Sequence, residues 1–143
     1  GEYHHNIDDK GRLVIPTKYR EELGSEFVIT RGIERCLYVY SKIEWEKLVA
    51  KLNTLPFTKK DARTFMRSFF SGATVGKFDN SGRINITSPL VSYADLTKEC
   101  VIIGVNDRLE IWSEDAFTKF MDDNSSELEE IAEHLFEVSN ETL

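Results

Sequence analysis

The sequence has few cysteines and no long hydrophobic segment. Only two of its 143 residues are cysteines, Cys36 and Cys100, and each lies within an apolar run far from the other. This placement is typical of buried, reduced thiols and favours neither a disulfide framework nor a zinc site. No apolar run approaches the roughly 20 residues that cross a bilayer, and the N-terminal residues show no signal-peptide pattern. We therefore expect a cytoplasmic protein without a membrane span.

The sequence also lacks the motifs of common catalytic centres. It contains no Gly-rich phosphate loop and no recognisable Ser/His/Asp set. His4 and His5 are neighbours on a predicted strand, where adjacent side chains point to opposite sides, and His134 is isolated. We predict no catalytic activity, no metal, no cofactor and no small-molecule substrate.

A five-residue polar loop is present twice. Asp8–Arg12 reads DDKGR, and Asp79–Arg83 reads DNSGR 71 positions later. In each copy Gly (Gly11 or Gly82) directly precedes the Arg, and short apolar alternating segments flank the loop. This pattern predicts a β-hairpin whose turn is shaped by the Asp and by a Gly at positive φ. The Arg then lies at the tip of the hairpin.

The elements around the two loops also repeat. The order in each copy is strand, loop, strand, short helix, strand, turn, strand, helix. In the first copy these elements are predicted at Tyr3–Ile7, Leu13–Ile15, Thr17–Leu23, Phe27–Thr30 and Leu37–Tyr40, with a helix capped by Ser41 after them. Each unit before its closing helix has only about 40 residues, too few to bury a core alone. We therefore predict that two units complete one β-barrel around an internal pseudo-two-fold axis.

We divide the chain into four segments. They are a first repeat at 2–44, connecting helices at 45–72, a second repeat at 73–116 and a C-terminal helical tail at 117–143. The second connecting helix is predicted at 59–71 with a cap at Thr58, and its apolar spacing favours core packing, with contact to a neighbouring chain as the second interpretation.

The net charge of −7 is distributed unevenly along the chain. Residues 1–72 contain 13 Lys and Arg against 10 Asp and Glu, whereas residues 73–143 contain 5 against 15. A basic overall composition, the usual sign of a nucleic-acid-binding protein, is therefore absent. The net-basic first half still allows a polyanion to bind, because local potential steers association more than average charge does.

Three basic residues of the loops are candidates for DNA contact: Lys10, Arg12 and Arg83. Arginine is well suited to reading guanine in the major groove, and lysine neutralises phosphate. The alternative is an Asp–Arg ion pair that only shapes each turn, and both interpretations hold if the Asp orients the Arg. Because the first loop keeps Lys10 and lies in the net-basic half, we expect it to be the stronger reader. Weaker candidates for phosphate contact, with solvated surface as the alternative, are Lys18, Arg20, Arg31 and Arg35.

Two Asp-containing loops related by a repeat are also a feature of aspartic proteases. In those enzymes Gly follows closely after the Asp, and two carboxylates share a proton at contact distance. Here Gly comes three positions after Asp8 and after Asp79, and the following Arg would lower the carboxylate pKa instead of raising it. The loops therefore do not favour catalysis.

The sequence resembles the MraZ family of bacterial transcriptional regulators, which are tandem members of the AbrB-like swapped-hairpin superfamily. The resemblance covers nearly the whole chain in the right order. It rests on both Asp-x-x-x-Arg loops and on the segments 1–8 (GEYHHNID), 12–16 (RLVIP), 40–45 (YSKIEW) and 69–73 (FFSGA). The second loop departs from the first at Asn80-Ser81, and the acidic tail after Asp122 carries no signature of the family.

The resemblance implies an α+β fold with a mainly β core, built as a double swapped-hairpin barrel. It implies a ring-shaped homo-oligomer that binds double-stranded DNA at direct repeats in the promoter of the division and cell-wall gene cluster. The expected location is the cytoplasm, in association with the nucleoid. The alternative that stays open is a non-catalytic protein-interaction scaffold with incidental DNA affinity, which the acidic second half favours.

Overall fold

The computed structural model describes residues 1–139, which form eight strands and six helices. The first half of the chain contains, in order, β1 (Glu2–Asn6), β2 (Arg12–Val14), α1 (Thr17–Leu23), β3 (Phe27–Arg31), β4 (Leu37–Ser41), α2 (Lys42–Leu52) and α3 (Lys60–Ser71). The second half contains β5 (Thr74–Gly76), β6 (Arg83–Asn85), α4 (Ser88–Tyr93), β7 (Glu99–Val105), β8 (Arg108–Ser113), α5 (Glu114–Ser125) and α6 (Leu128–Ser139). The repeated order of elements predicted from the sequence is therefore present.

Local sequence signals set the ends of most helices. Helix α1 has the predicted bounds and ends at Gly24, which adopts a positive φ of 76°. Ser41 caps α2 by accepting a hydrogen bond from the backbone N–H of Glu44 over 3.2 Å. The predicted cap of α3 at Thr58 is wrong. Helix α3 begins at Lys60, its cap position is Lys59, and no side chain among the described residues caps it.

The strands on either side of each loop do not pair with each other, so the two predicted hairpins are wrong beyond their turns. Strand β1 pairs antiparallel with β7 of the second repeat, and β5 pairs with β3 of the first repeat. Strands β2 and β6 pair with each other. This exchange buries Leu13 and Ile84, at 0% and 1% exposure, in one shared core, which two separate hairpins would not do.

The α+β class is confirmed, but the sheet is not closed into the predicted barrel. Among the described strands, six form an open antiparallel sheet in the order β1-β7-β8-β4-β3-β5. The other two, β2 and β6, have three residues each and form a separate ribbon. The ribbon strands pair with each other and share a core with one face of the sheet. They do not hydrogen-bond to the edge strands β1 and β5, so the sheet stays open.

An internal pseudo-two-fold axis relates the two repeats, as the sequence predicts. In the ribbon, Leu13 faces Ile84, and these positions are equivalent in the two repeats. In the sheet, Tyr38 faces Glu110, again at equivalent positions. Both registers are symmetric about these pairs, so the axis passes through the centre of the ribbon and the centre of the sheet.

Apolar residues cover both faces of the sheet, which explains the nearly continuous hydrophobic character of its central strands. Leu37 and Val39 of β4 face the ribbon and share one core with Ile84 of β6. Tyr38 and Tyr40 of the same strand face the opposite core, which α2, α3 and α5 cover. The alternation therefore places two cores in three layers, with the ribbon on one side and the long helices on the other. Within residues 1–139 no helix combines the length and the hydrophobicity needed to cross a membrane.

Candidate nucleic-acid interface

Asp8 organises the first loop through three hydrogen bonds. Its Oδ1 accepts the backbone N–H groups of Lys10 (3.0 Å) and Arg12 (2.8 Å), and its Oδ2 accepts the Nε–H of Arg12 (2.7 Å). The bond from the Arg12 backbone N–H, together with the Arg12 side chain, lowers the pKa of Asp8 below its ordinary value. Gly11 completes the turn at a φ of 80°. The loop is thus a closed turn in which an ionised carboxylate orients Arg12.

The second loop has the same geometry. Oδ1 of Asp79 accepts the backbone N–H groups of Ser81 (2.8 Å) and Arg83 (2.9 Å), and Oδ2 accepts the Nε–H of Arg83 (2.8 Å). The bond from the Arg83 backbone N–H is the main cause that lowers the pKa of Asp79. Gly82 has a φ of 73°. Ser81 occupies the position equivalent to Lys10, and the backbone hydrogen bond to the aspartate is the same in both loops.

In both loops the aspartate binds only the Nε–H of the arginine and leaves the end of the guanidinium open. Neither terminal nitrogen of Arg12 or Arg83 donates a hydrogen bond to another residue of 1–139. The two side chains are 35% and 31% exposed. Two free donors on a fixed guanidinium match the O6 and N7 atoms of guanine or two phosphate oxygens. The ion pair and a DNA contact use different atoms, so this geometry allows both.

Four side chains form the outer face of the β2–β6 ribbon. Because Leu13 and Ile84 point inward, strand alternation turns their neighbours outward. On the outer face Arg12 is paired with Asn85, and Val14 is paired with Arg83, in the cross-strand register. Val14 is 36% exposed. We did not identify Val14 or Asn85 from the sequence, although alternation from the buried residues beside them is a sufficient signal.

The strand exchange places each loop against the other repeat. The backbone N–H of Ile86 donates to the carbonyl of Gly11 (2.7 Å), and the N–H of Ile15 donates to the carbonyl of Gly82 (3.1 Å). A Cβ atom at Gly11 would collide with the carbonyl oxygen of Ile86, and one at Gly82 would collide with the guanidinium of Arg20. Arg20 of the first repeat therefore lies on the second loop.

This placement changes the distribution of charge between the loops. Val91 of α4 occupies the position equivalent to Arg20 and lines the surface beside the first loop. The first loop therefore has Lys10 and Arg12, whereas the second has Arg83 and Arg20, so each loop has two cations. The prediction from the sequence compared the loops by the net charge of their own halves of the chain. It therefore missed the contact of Arg20 with the second loop.

The other predicted phosphate contacts are in different environments. Lys18 on α1 is exposed, with its Nζ 5.9 Å from the ring centroid of Tyr19. Arg31 donates to the carbonyl of Ser68 near the end of α3 over 2.9 Å. The guanidinium groups of Arg31 and Arg35 both lie over the ring of Tyr93, at 5.7 Å and 4.9 Å from its centroid. Arg31 therefore contributes to packing between the repeats.

The described residues form no metal-binding group, and their two cysteines are not accessible. Residues 1–139 contain no group of three or more His, Cys, Asp or Glu side chains arranged to hold a metal ion. Cys36 and Cys100 are both buried. Burial raises the pKa of the Cys100 thiol to about 11 and that of Cys36 further, so both are protonated and unreactive at neutral pH.

Both repeats match one protein-family model, described as "MraZ protein, putative antitoxin-like", over residues 1–68 and again over residues 69–139. The chain belongs to the MraZ family. It is 50% identical over 138 residues to the protein named transcriptional regulator MraZ from Lactobacillus helveticus (strain DPC 4571), and the match covers 96% of each chain. The predicted MraZ resemblance and the predicted class of function, transcriptional regulation, are confirmed. The finer division into segments 2–44, 45–72, 73–116 and 117–143 stays a prediction.

Proposed function

We propose that this MraZ-family chain binds DNA sequence-specifically by inserting the β2–β6 ribbon into the major groove. The observation that supports this proposal is the pair Arg12 and Arg83, held by their aspartates on the outer face of one ribbon. The major groove is about 12 Å wide and admits a two-stranded β-ribbon. Lys10 in the first loop and Arg20 beside the second supply charge for phosphates, with Lys18 as a further phosphate contact.

The ribbon would read an asymmetric sequence. Its backbone is two-fold symmetric, but Val14 and Asn85 occupy equivalent outward positions with different chemistry. Asparagine pairs with the N6 and N7 atoms of adenine, whereas an apolar side chain contacts the methyl group of thymine. Each chain therefore has a direction along the DNA. Sites for such a chain would recur in one orientation, which fits direct repeats better than a palindrome.

Replacing Asn85 by Val should change base preference more than overall affinity. The variant makes the two outward positions equivalent, so the preference for one orientation of the site should weaken. Loss of one bidentate contact to adenine corresponds to about 1–3 kcal/mol of discrimination at one base pair. Binding to a library in which each base pair of the site is substituted would measure this effect. If the preference profile is the same for Asn85→Val and wild type, Asn85 does not contact a base.

Affinity in this proposal comes from repetition. A chain with two arginine–base contacts gains roughly 1–3 kcal/mol from each, which is too little for tight binding alone. Linked chains that face repeated sites raise the effective concentration of each further contact. We therefore propose a ring-shaped homo-oligomer acting on direct repeats in the promoter of the division and cell-wall gene cluster, in the cytoplasm and in association with the nucleoid.

The number of repeats should control affinity. We expect a duplex with two or more direct repeats to bind at least about tenfold more tightly than a duplex with one repeat, at equal length and salt. A scrambled duplex of the same composition is the control, because non-specific binding responds to length and salt only. Fluorescence anisotropy at two salt concentrations would measure the affinity for each of the three duplexes. Equal affinity for one and several repeats would contradict the proposal of avidity.

A protein-interaction scaffold is the second candidate function. It is favoured by the charge of residues 114–139, which contain nine Asp and Glu and one Lys. Such a surface repels DNA and suits a basic partner. This candidate predicts no retardation of any DNA fragment at moderate salt, together with co-purification of a protein partner.

A further inference from the structure

Helix α6 carries an apolar stripe that the rest of the described chain leaves open. Leu128, Ile131 and Leu135 recur at the spacing of one helix face, and Phe136 lies beside them. These four side chains are between 40% and 64% exposed. The remaining surface of α6 is acidic, with Glu129, Glu130, Glu133 and Glu137. An amphipathic helix of this kind is stable when something covers its apolar face.

The corresponding helix of the first repeat has a partner within the chain. Helix α3 follows α2 as α6 follows α5, and its Phe69 is buried against Trp45, with the ring centroids 5.7 Å apart. The hydroxyl of Thr30 on β3 donates to the carbonyl of Phe69 over 2.6 Å and attaches α3 to the sheet. Helix α6 has no equivalent attachment among the described residues. Its stripe therefore needs a covering surface from outside the described residues of its own chain.

The segment between α2 and α3, residues 53–59, offers an exposed apolar surface with basic neighbours. Phe57 is 79% exposed and Leu55 is 37% exposed. Lys59 is the last residue of this segment and Lys60 the first of α3, and both are exposed. Nη1 of Arg63 donates to the carbonyl of Phe57 over 3.0 Å and holds the segment in place. An exposed aromatic side chain on a hydrogen-bonded backbone segment, with cations beside it, suits an anchor in a protein interface.

The two surfaces have opposite charge. Residues 53–71 contain four Lys and Arg and one Asp, whereas residues 114–139 contain one Lys and nine Asp and Glu. A contact of α6 with α6 would place acidic surfaces together, which is unfavourable. A contact of the acidic surface with the basic one is attractive and joins two different patches. Such a head-to-tail contact continues from copy to copy until it closes.

We propose that α6 of one copy packs its apolar stripe on residues 53–59 of the next copy. Phe57 enters the stripe between Leu128 and Leu135, and Lys59 and Lys60 face the glutamates of α6. The proposal rests on the ring-shaped oligomer of the proposed function and names the surfaces that form it. The contact leaves the β2–β6 ribbon free, so that assembly and DNA binding use separate surfaces.

Charge exchange across the contact tests this proposal in the absence of DNA. We expect Lys59→Glu with Lys60→Glu to weaken assembly at least about tenfold, because two acidic surfaces then meet. Glu129→Lys with Glu130→Lys should do the same, because two basic surfaces then meet. An equimolar mixture of the two variants should assemble again, since each acidic surface finds a basic one. Sedimentation velocity would give the mass distribution of each sample.

Matched controls separate this contact from other causes. Lys47→Glu with Lys51→Glu changes the net charge equally on α2 and should leave the mass unchanged. The inference is overturned if this control dissociates as strongly, if either charge variant keeps the wild-type mass, or if the mixture stays dissociated.

Leu135→Ser should dissociate the oligomer. If it only lowers the melting temperature, α6 packs within its own chain and the inference fails. DNA binding by the arginines is measured on one-repeat duplexes, so failure of the contact leaves that part of the proposed function standing.

Discussion

Removal of both loop arginines, Arg12→Ala with Arg83→Ala, should abolish the preference for a repeat-bearing duplex over a scrambled one. Two lost arginine–base contacts correspond to about 2–6 kcal/mol for each chain, or at least about a 30-fold loss of affinity. The loss should be larger for an oligomer, because avidity multiplies the effect of each contact. The slope of log affinity against log salt should also fall, since two cations leave the interface. Anisotropy titrations on both duplexes would measure both quantities.

Arginine-to-lysine variants separate base reading from phosphate binding. Arg12→Lys with Arg83→Lys keeps both charges but removes the two parallel donors of the guanidinium. We expect this variant to keep most of its affinity for the scrambled duplex and to lose discrimination. Lys47→Ala with Lys51→Ala on α2 is the control for loss of two charges away from the ribbon. Wild-type affinity and salt slope in the double alanine variant would rule out DNA reading by the loops.

Single variants test which loop contributes more. The chain order favours the first loop, because Lys10 lies in the net-basic half. The structure adds Arg20 to the second loop, so the two loops have equal numbers of cations. If Arg12→Ala and Arg83→Ala have similar effects, the local environment after strand exchange determines affinity. A much larger effect of Arg12→Ala would support the original expectation instead.

Local features of the fold were predictable from the sequence, and the strand pairing was not. The helix Thr17–Leu23, the cap at Ser41 and the two Asp–Gly–Arg turns depend on neighbours within about five residues. The partners of β1 and β2 depend on contacts across about 70 to 100 positions. The alternating pattern is the same whether a strand pairs locally or with the other repeat. The repeat predicted the pseudo-two-fold axis but could not decide between a closed barrel and a ribbon packed on an open sheet.

The candidate site shows the same division. Arg12 and Arg83 could be named as candidates from the sequence because the spacing from Asp to Arg is local. Asn85 was overlooked although alternation places it outward, since it carries no charge. The contact of Arg20 with the second loop could not be predicted, because it exists only after the strands have been exchanged between the repeats.

Gly11→Ala should be the most destabilising of three comparable glycine substitutions. Gly11, Gly24 and Gly82 all have φ between 73° and 80°, where a side chain costs about 1–3 kcal/mol. At Gly24 the added Cβ meets nothing within 4 Å, so this variant measures the backbone cost alone. At Gly11 the Cβ would also collide with the backbone carbonyl of Ile86, which the ribbon holds in place. We expect a further loss of about 1–3 kcal/mol in the free energy of unfolding.

Urea denaturation of wild type, Gly24→Ala and Gly11→Ala would measure the difference. If the two variants lose equal stability, the backbone of Ile86 can move away from an added Cβ at Gly11, and the first loop is not held rigidly against the second repeat. Comparison of the slopes against urea would show whether either variant also changes the unfolded state.

Gly82→Ala separates stability from binding. Here the added Cβ would collide with the guanidinium of Arg20, and a side chain can move away at little cost. The loss of stability should therefore be close to that of Gly24→Ala, while affinity for DNA should fall because Arg20 leaves the second loop. In the background Arg20→Ala the same substitution should have little further effect on affinity, since the displaced group is already absent. Additive losses of affinity in the double variant would mean that Arg20 does not act through the second loop.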